Sequence, residues 1–160
     1  MNRLIIPILI LLACFISACL PAPKQYTELE SHILDAADLQ SILIQVDHGE
    51  VILLESEDGH VQVGGWVLFA DEVEYQVISA EEQILIKAQV RRTNLPDMPL
   101  RVEVRVPKDM PVKIETDGAS VFVSNYQGDL EVASTSGNIT IEQMTGRMTL
   151  RSNRGNIIVR

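Results

Sequence analysis

Cysteine is nearly absent: the 160 residues contain two, Cys14 and Cys19. That excludes a disulfide-dense scaffold and leaves no set with zinc-site spacing. Aromatics make up 4%, with Trp66 the single tryptophan. Bases are outnumbered, 13 Lys+Arg against 22 Asp+Glu, for a net charge of -9. An electrostatic nucleic-acid binder needs the opposite balance. The shortage is uneven. Between Gln25 and Ile86 no Lys or Arg stands among 14 acids, whereas Lys87 to Arg160 holds 11 bases and 8 acids. Acidic, solvated outward faces in the first half account for this; the alternative is that the two halves lie on opposite sides and orient the domain over a charged surface. No apolar run reaches the about 20 residues a membrane-spanning helix needs. Apolar residues nevertheless make up 46%, enough for a packed core in one or two small domains.

The N-terminus reads as a targeting signal. Arg3 supplies a positive start, and Leu4 to Phe15 is an apolar run broken by Pro7. Ile16-Ser17-Ala18-Cys19 then resembles the bacterial lipobox, an apolar residue and two small ones before cysteine. The resemblance implies a signal peptide over residues 1–18 and lipidation of Cys19, with Cys14 removed. An ordinary secretory signal cleaved near Ala18 or Ala22 is the other reading. Pro21-Ala22-Pro23 follows as a tether, and residues 19–38 are expected to link the anchor to the fold. More than one acyl chain is needed for stable anchoring, and the acylated cysteine of lipoproteins meets that need. The expected location is the cell envelope, facing away from the cytoplasm. Leu20 after the cysteine favours the outer membrane where a cell has two.

Residues 39–160 read as one β domain. Residues 31–39 fit either a helical turn or short strands. Ile42 to Val46 and Val51 to Leu54 are apolar and β-branched, joined by Asp47-His48-Gly49-Glu50 with turn chemistry. Val73, Tyr75 and Val77 alternate with Glu72, Glu74 and Gln76. Leu100 to Val106 alternates in the same way and stops at Pro107.

From residue 108 onward the chain repeats. Gly128, Gly137, Gly146 and Gly155 are spaced by nine, and each opens Gly-x-apolar-x-apolar: Leu130 and Val132, Ile139 and Ile141, Met148 and Leu150, Ile157 and Val159. Val121 and Val123, and Val112 and Ile114, extend the phase backward. A fixed period means stacked units, each a short strand plus a turn. The stacking period is expected to be 18 rather than nine. Tyr126 and Met144 alternate with Asp117, Thr135 and Asn153 at one position of the unit. Lys113 and Glu131, Asp129 and Arg147, and Glu142 and Arg160 are opposite charges at that separation. At nine, Arg151 would face Arg160, and like charges on neighbouring strands destabilise.

The Leu100–Pro107 strand, Val112-Lys113-Ile114 and the glycine units together resemble the bacterial "putative adhesin" domain, a β-solenoid-like family without an established function or catalytic residues. The resemblance covers about Leu39 to Arg160. It implies an all-β fold, a β-solenoid or β-roll-like stack of nonapeptide repeats over residues 108–160, preceded by short antiparallel or mixed strands over 39–107. Relatives often have more repeats, and this chain stops on a strand without a cap. A truncated longer repeat protein, or an edge completed by a partner, is therefore expected.

Catalytic chemistry finds little support. The repeat lacks the paired glycines and recurring aspartate of calcium-binding nonapeptides. Glu55, Glu57 and Asp58 read as a solvated turn rather than a cation site. His32, His48 and His60 have no ligand spacing. Ser134, Ser136 and Ser152 sit in corners where hydroxyls bond local backbone. Asp129, Glu131 and Glu142 are explained by the charge pairs. Trp66 and Phe69 are read as core residues, with an exposed apolar binding loop as the alternative. The expected function is an adhesin-like, non-catalytic binding or scaffolding domain without a cofactor, its ligand a protein or a glycan. An envelope-sensing subunit that pairs through residues 155–160, or self-association through that edge, is the alternative.

Overall fold

A computed structural model describes residues 26–91 and 100–160. The segment read as a signal peptide, Cys19 and the residues read as a tether as far as Gln25 lie outside the described residues. The described chain is all-β, in two mixed sheets that share one core. The larger sheet contains β1 (Thr27–Glu28), β2 (His32–Asp35), β4 (Glu50–Glu55), β5 (His60–Val67), β8 (Leu100–Val106), β10 (Ser120–Gln127), β12 (Ile139–Thr145) and β14 (Ile157–Val159). The smaller contains β3 (Ser41–Val46), β6 (Val73–Ala80), β7 (Gln83–Val90), β9 (Val112–Thr116), β11 (Leu130–Ser134) and β13 (Met148–Ser152). Their spatial orders are β1-β5-β8-β4-β10-β12-β14, with β2 also on β5, and β13-β11-β9-β3-β7-β6. Neither order closes on itself. Residues 32–35 take the strand, not the helical turn.

Successive nine-residue units alternate between the sheets, so neighbours within a sheet are two units apart. Val121 lies opposite Ile139, Leu130 opposite Met148, and Ile139 opposite Ile157, all in parallel register. The charges follow. Lys113 Nζ is 3.7 Å from Glu131 and Arg160 is 3.5 Å from Glu142, while at the third pair it is the Arg147 backbone N–H that donates to Asp129 Oδ1 at 3.3 Å. Arg151 and Arg160 fall at different sheets, which removes the repulsion a nine-residue stack would impose.

The glycines are explained by how closely the corners stack. A Cβ on Gly137 would lie 1.8 Å from the Ala119 carbonyl oxygen, and one on Gly155 would lie 2.0 Å from that of Gly137. At the other corner Gly146 holds φ +126 and would meet the Gly128 carbonyl at 2.2 Å. No side chain fits either column. Tyr126 fills the second corner from inside; its hydroxyl donates to the Met110 carbonyl. Burial first, and then Asp129, Asp109 and Glu55, push its ionisation well above the ordinary tyrosine value.

The parallel stack begins earlier than the glycine spacing indicates. β3 pairs with β9, and β4 with β10, in the same parallel sense. Gly49-Glu50-Val51-Ile52-Leu53 carries the repeat pattern itself. β7 and β8 form another two-strand rung on the far side of β3 and β4. The stack therefore runs β7–β8, β3–β4, β9–β10, β11–β12, β13–β14. Beyond β7–β8, β6 and β5 add antiparallel and cover the end. Val61, Val63 and Val67 of β5 are buried there, and Val73, Tyr75 and Val77 of β6 pack against the shared core. The charge segregation acquires a geometry: in the smaller sheet β6, from the half without Lys or Arg, and the arginine-bearing β13 are opposite edges.

Candidate functional site

Side chains on a strand alternate between faces. On β5, Val61, Val63 and Val67 point into the core, so Gln62, Gly64 and Trp66 point outward. On β8 the outward set is Arg101, Glu103 and Arg105. The pairing places Trp66 beside Arg101, Gly64 beside Glu103, and Gln62 beside Arg105. β1 brings Glu28 opposite Trp66 on its other side. These residues, with Ser31, His32 and Ile33, line a groove of about 450 Å³ on the outer face of the larger sheet.

Two adjacent glycines at its floor have different causes. Gly65 (φ +149) is fixed by close approach, since a Cβ would lie 1.9 Å from the Arg101 carbonyl oxygen. Gly64 is not: a Cβ there meets the Ser31 hydroxyl at 3.4 Å, an ordinary contact. Its missing side chain opens the groove without any demand from the backbone.

Trp66 forms one wall. The Tyr26 ring packs edge-on to it at 4.7 Å between centroids, and the Arg101 guanidinium lies 5.3 Å from the indole centroid, a cation–π distance. Arg101 also holds Glu50 at 2.8 Å, and Arg105 holds Glu103 at 2.8 Å. Both guanidiniums are thus fixed in direction and keep further N–H donors for a visitor. The expectation that Trp66 and Phe69 are core residues is corrected. Trp66 faces outward on the sheet, and Phe69, just past β5, is 41% exposed. The missed signal was parity, since Trp66 is out of step with Val63 and Val67.

Other singled-out residues are occupied structurally. Ser134 and Ser152 accept the N–H of Gly137 and Gly155 at 2.8 and 2.9 Å, and Ser136 donates to the Asp117 carbonyl at 3.0 Å. Asp58 accepts from the Ser56 hydroxyl at 2.6 Å, the His60 N–H at 3.1 Å and Gln62 at 2.8 Å. The first of these does most to hold its carboxyl below the usual range. His32 is half-buried with its ring 6.2 Å from that of Tyr75, and His60 turns back to the Asp58 carbonyl at 3.0 Å. Among the described residues no group of three or more His, Cys, Asp or Glu is arranged to hold a metal. No described helix is long and apolar enough to cross a membrane. A second groove, of about 390 Å³, follows the corner from Asp47 to Asn153. It lacks an aromatic wall, and its polar groups serve the stack: Gln45 donates to Glu115 at 2.8 Å and Thr135 to Asp117 at 3.5 Å.

Fold and groove together define a two-sheet β domain with an open groove on one outer face rather than an enclosed pocket. Its shape is similar to a "putative cell adhesion protein" from Clostridium sporogenes, at TM-score 0.54 and 7% identity, over 84% of this chain and 99% of that one. It is also similar to a "putative adhesin" from Bacteroides fragilis, at TM-score 0.52 and 13% identity, over 84% of this chain and 62% of that one. This chain therefore spans less than two thirds of the Bacteroides protein. At such identities the likeness is one of fold alone. No family model matches the chain, and no curated protein matches it at a significant level.

Proposed function

We propose that this chain is a lipid-anchored, extracytoplasmic binding domain, adhesin-like and non-catalytic, that recognises its ligand with the outer face of the larger sheet. The observation that carries the reading is the groove at Trp66, where an outward aromatic wall, two oriented guanidiniums and a side-chain-free floor converge. Named adhesin folds among the structural neighbours support it. The stacked rungs act in a solenoid-like way, holding that face rigid. Cys19 supplies the anchor at the cell envelope, in the outer membrane where there are two. Two measurements test the reading. Cells displaying the full chain should adhere to a ligand-bearing surface, and Trp66→Ala should reduce that adhesion. Labelled fatty acid should enter the wild-type protein and not Cys19→Ser. Adhesion unchanged by Trp66→Ala would remove the groove from the reading, and no label in the wild type would remove the anchor.

A second reading rests on a different observation: the β13 and β14 edges present Met148, Ile157, Ile158 and Val159, all exposed. We propose that this edge pairs with the β6 edge of a second copy, which Asp71, Glu72, Glu81 and Glu82 flank with negative charge. Head-to-tail contacts of this type do not close unless a rotation closes them. Sedimentation of the full chain across concentration tests it; a monomer throughout would reject it.

A further inference from the structure

We infer that the groove at Trp66 takes a neutral, hydroxyl-rich ligand, a short stretch of uncharged oligosaccharide; this rests on the proposed binding role of that face. The argument is one of charge and valence. The two guanidiniums in the groove are each already neutralised, Arg101 by Glu50 and Arg105 by Glu103, with nitrogen–oxygen distances of 2.8 Å in both pairs. Glu28 adds a further carboxylate to the lining. The groove therefore offers no unmet positive charge for a sulfated or sialylated chain, and a phosphate would compete with carboxylates already seated. A hydroxyl group meets such ion pairs differently, because it donates and accepts at once. It can donate to the carboxylate and accept from the guanidinium without separating them. A sugar ring presents several such hydroxyls around an apolar C–H face, and the indole wall matches that face. The size agrees: about 450 Å³ is that of a small-ligand site. Gly64 fits the same reading, since an outward side chain there would occupy the floor.

Trp66 is the chain's single tryptophan, so its fluorescence reports this groove. The experiment titrates the full chain with cellohexaose, xylohexaose, mannohexaose and maltohexaose, and separately with heparin and sialyllactose. The expected result is a saturable emission change with at least one neutral hexaose and none with the charged glycans. Gly64→Leu should weaken that binding at least tenfold while leaving the circular dichroism and the unfolding midpoint unchanged. Should Gly64→Leu unfold the chain, Glu103→Gln serves in its place. It removes the carboxylate that neutralises Arg105, and the prediction is weaker neutral-sugar binding with new affinity for heparin. Binding of charged glycans by the wild type, or neutral-sugar binding that survives Gly64→Leu, would overturn the ligand class. So would the absence of any emission change. Adhesion of displayed cells, run in parallel, separates the two proposals. If adhesion is lost in Trp66→Ala while no hexaose binds, the surface is right and the ligand class is wrong. If adhesion does not depend on Trp66, both fall.

Discussion

The two ends of the stack treat chemically similar rungs in opposite ways. At the β7–β8 end the inward residues are sealed: Ile84, Ile86, Val102 and Val104 are fully buried beneath the antiparallel β5 and β6. At the β13–β14 end the same inward positions lie open. Ile141 is 0% exposed and Val159, its partner one rung further out, is 53% exposed. An apolar pattern thus specifies the face a side chain takes, and the next rung decides whether that face is dry. Parallel sheets pair evenly along their length, so burial here accumulates rung by rung.

The strongest way to sharpen the comparison is to truncate matched positions. Ile141→Ala should cost about 2–5 kcal/mol, the range for a fully buried isoleucine, and Val159→Ala under about 0.5 kcal/mol. Denaturant unfolding of the two variants checks this, and equal costs would mean that the β14 edge is covered. Glycine replacements come next. Gly137→Ala forces a methyl into the Ala119 carbonyl between two held rungs and should cost about 1–3 kcal/mol. Gly155→Ala meets a similar obstacle at the outer rung, which can shift outward, so its midpoint should fall less.

Base should act on the sealed end. Burial, and next Glu30, push Tyr75 from 10.0 up to about 12. The fold therefore favours the neutral phenol. The stability this represents is present in full below pH 10, where the unfolded tyrosine is also neutral. It is lost as pH rises from 10 towards 12, because the unfolded chain then releases its proton first. Tyr126 acts in the same direction. Unfolding midpoints across that range should fall, and Tyr75→Phe should flatten the fall. The smallest expected effect is at the open edge. Val159→Glu, which sets a like charge against the acidic half of a second copy, should reduce any concentration-dependent sedimentation of the full chain, and salt should weaken the wild-type association as exposed charges are screened.

How much of this was legible depended on whether each signal was local. The 18-residue stacking was readable because glycine spacing and charge sign constrain each other over short separations; Lys113 with Glu131 alone would have meant little. The Leu100–Val106 strand was readable from its strict alternation. The β3–β4 rung was not, although Gly49 opens the repeat motif, because β5 to β8 intervene and a motif met once has no period. Trp66 is out of step with Val61, Val63 and Val67, but Gly64-Gly65 carry no side chains and so mask that parity in the sequence. The groove itself was unreadable, since it is formed by β1, β2, β5 and β8, and their adjacency is a property of the sheet order.

The order of strands in space also has a consequence for how the chain folds. β8 lies between β4 and β5 although it is synthesised after both. That slot must stay open while the intervening chain passes through β6 and β7, and closing so long a loop costs entropy before any contact repays it. Once β8 is seated, β9 and β10 must still find β3 and β4, 70 residues earlier in the chain, and only β11 to β14 add on a rung 18 residues before them. Folding is then expected to run through slow closures at β8 and at β9–β10 followed by a rapid zipper, as where distant pairing precedes local pairing. Val102→Ala and Val104→Ala should chiefly slow folding, whereas Val132→Ala and Ile139→Ala should chiefly speed unfolding, a split that stopped-flow kinetics in denaturant would read directly.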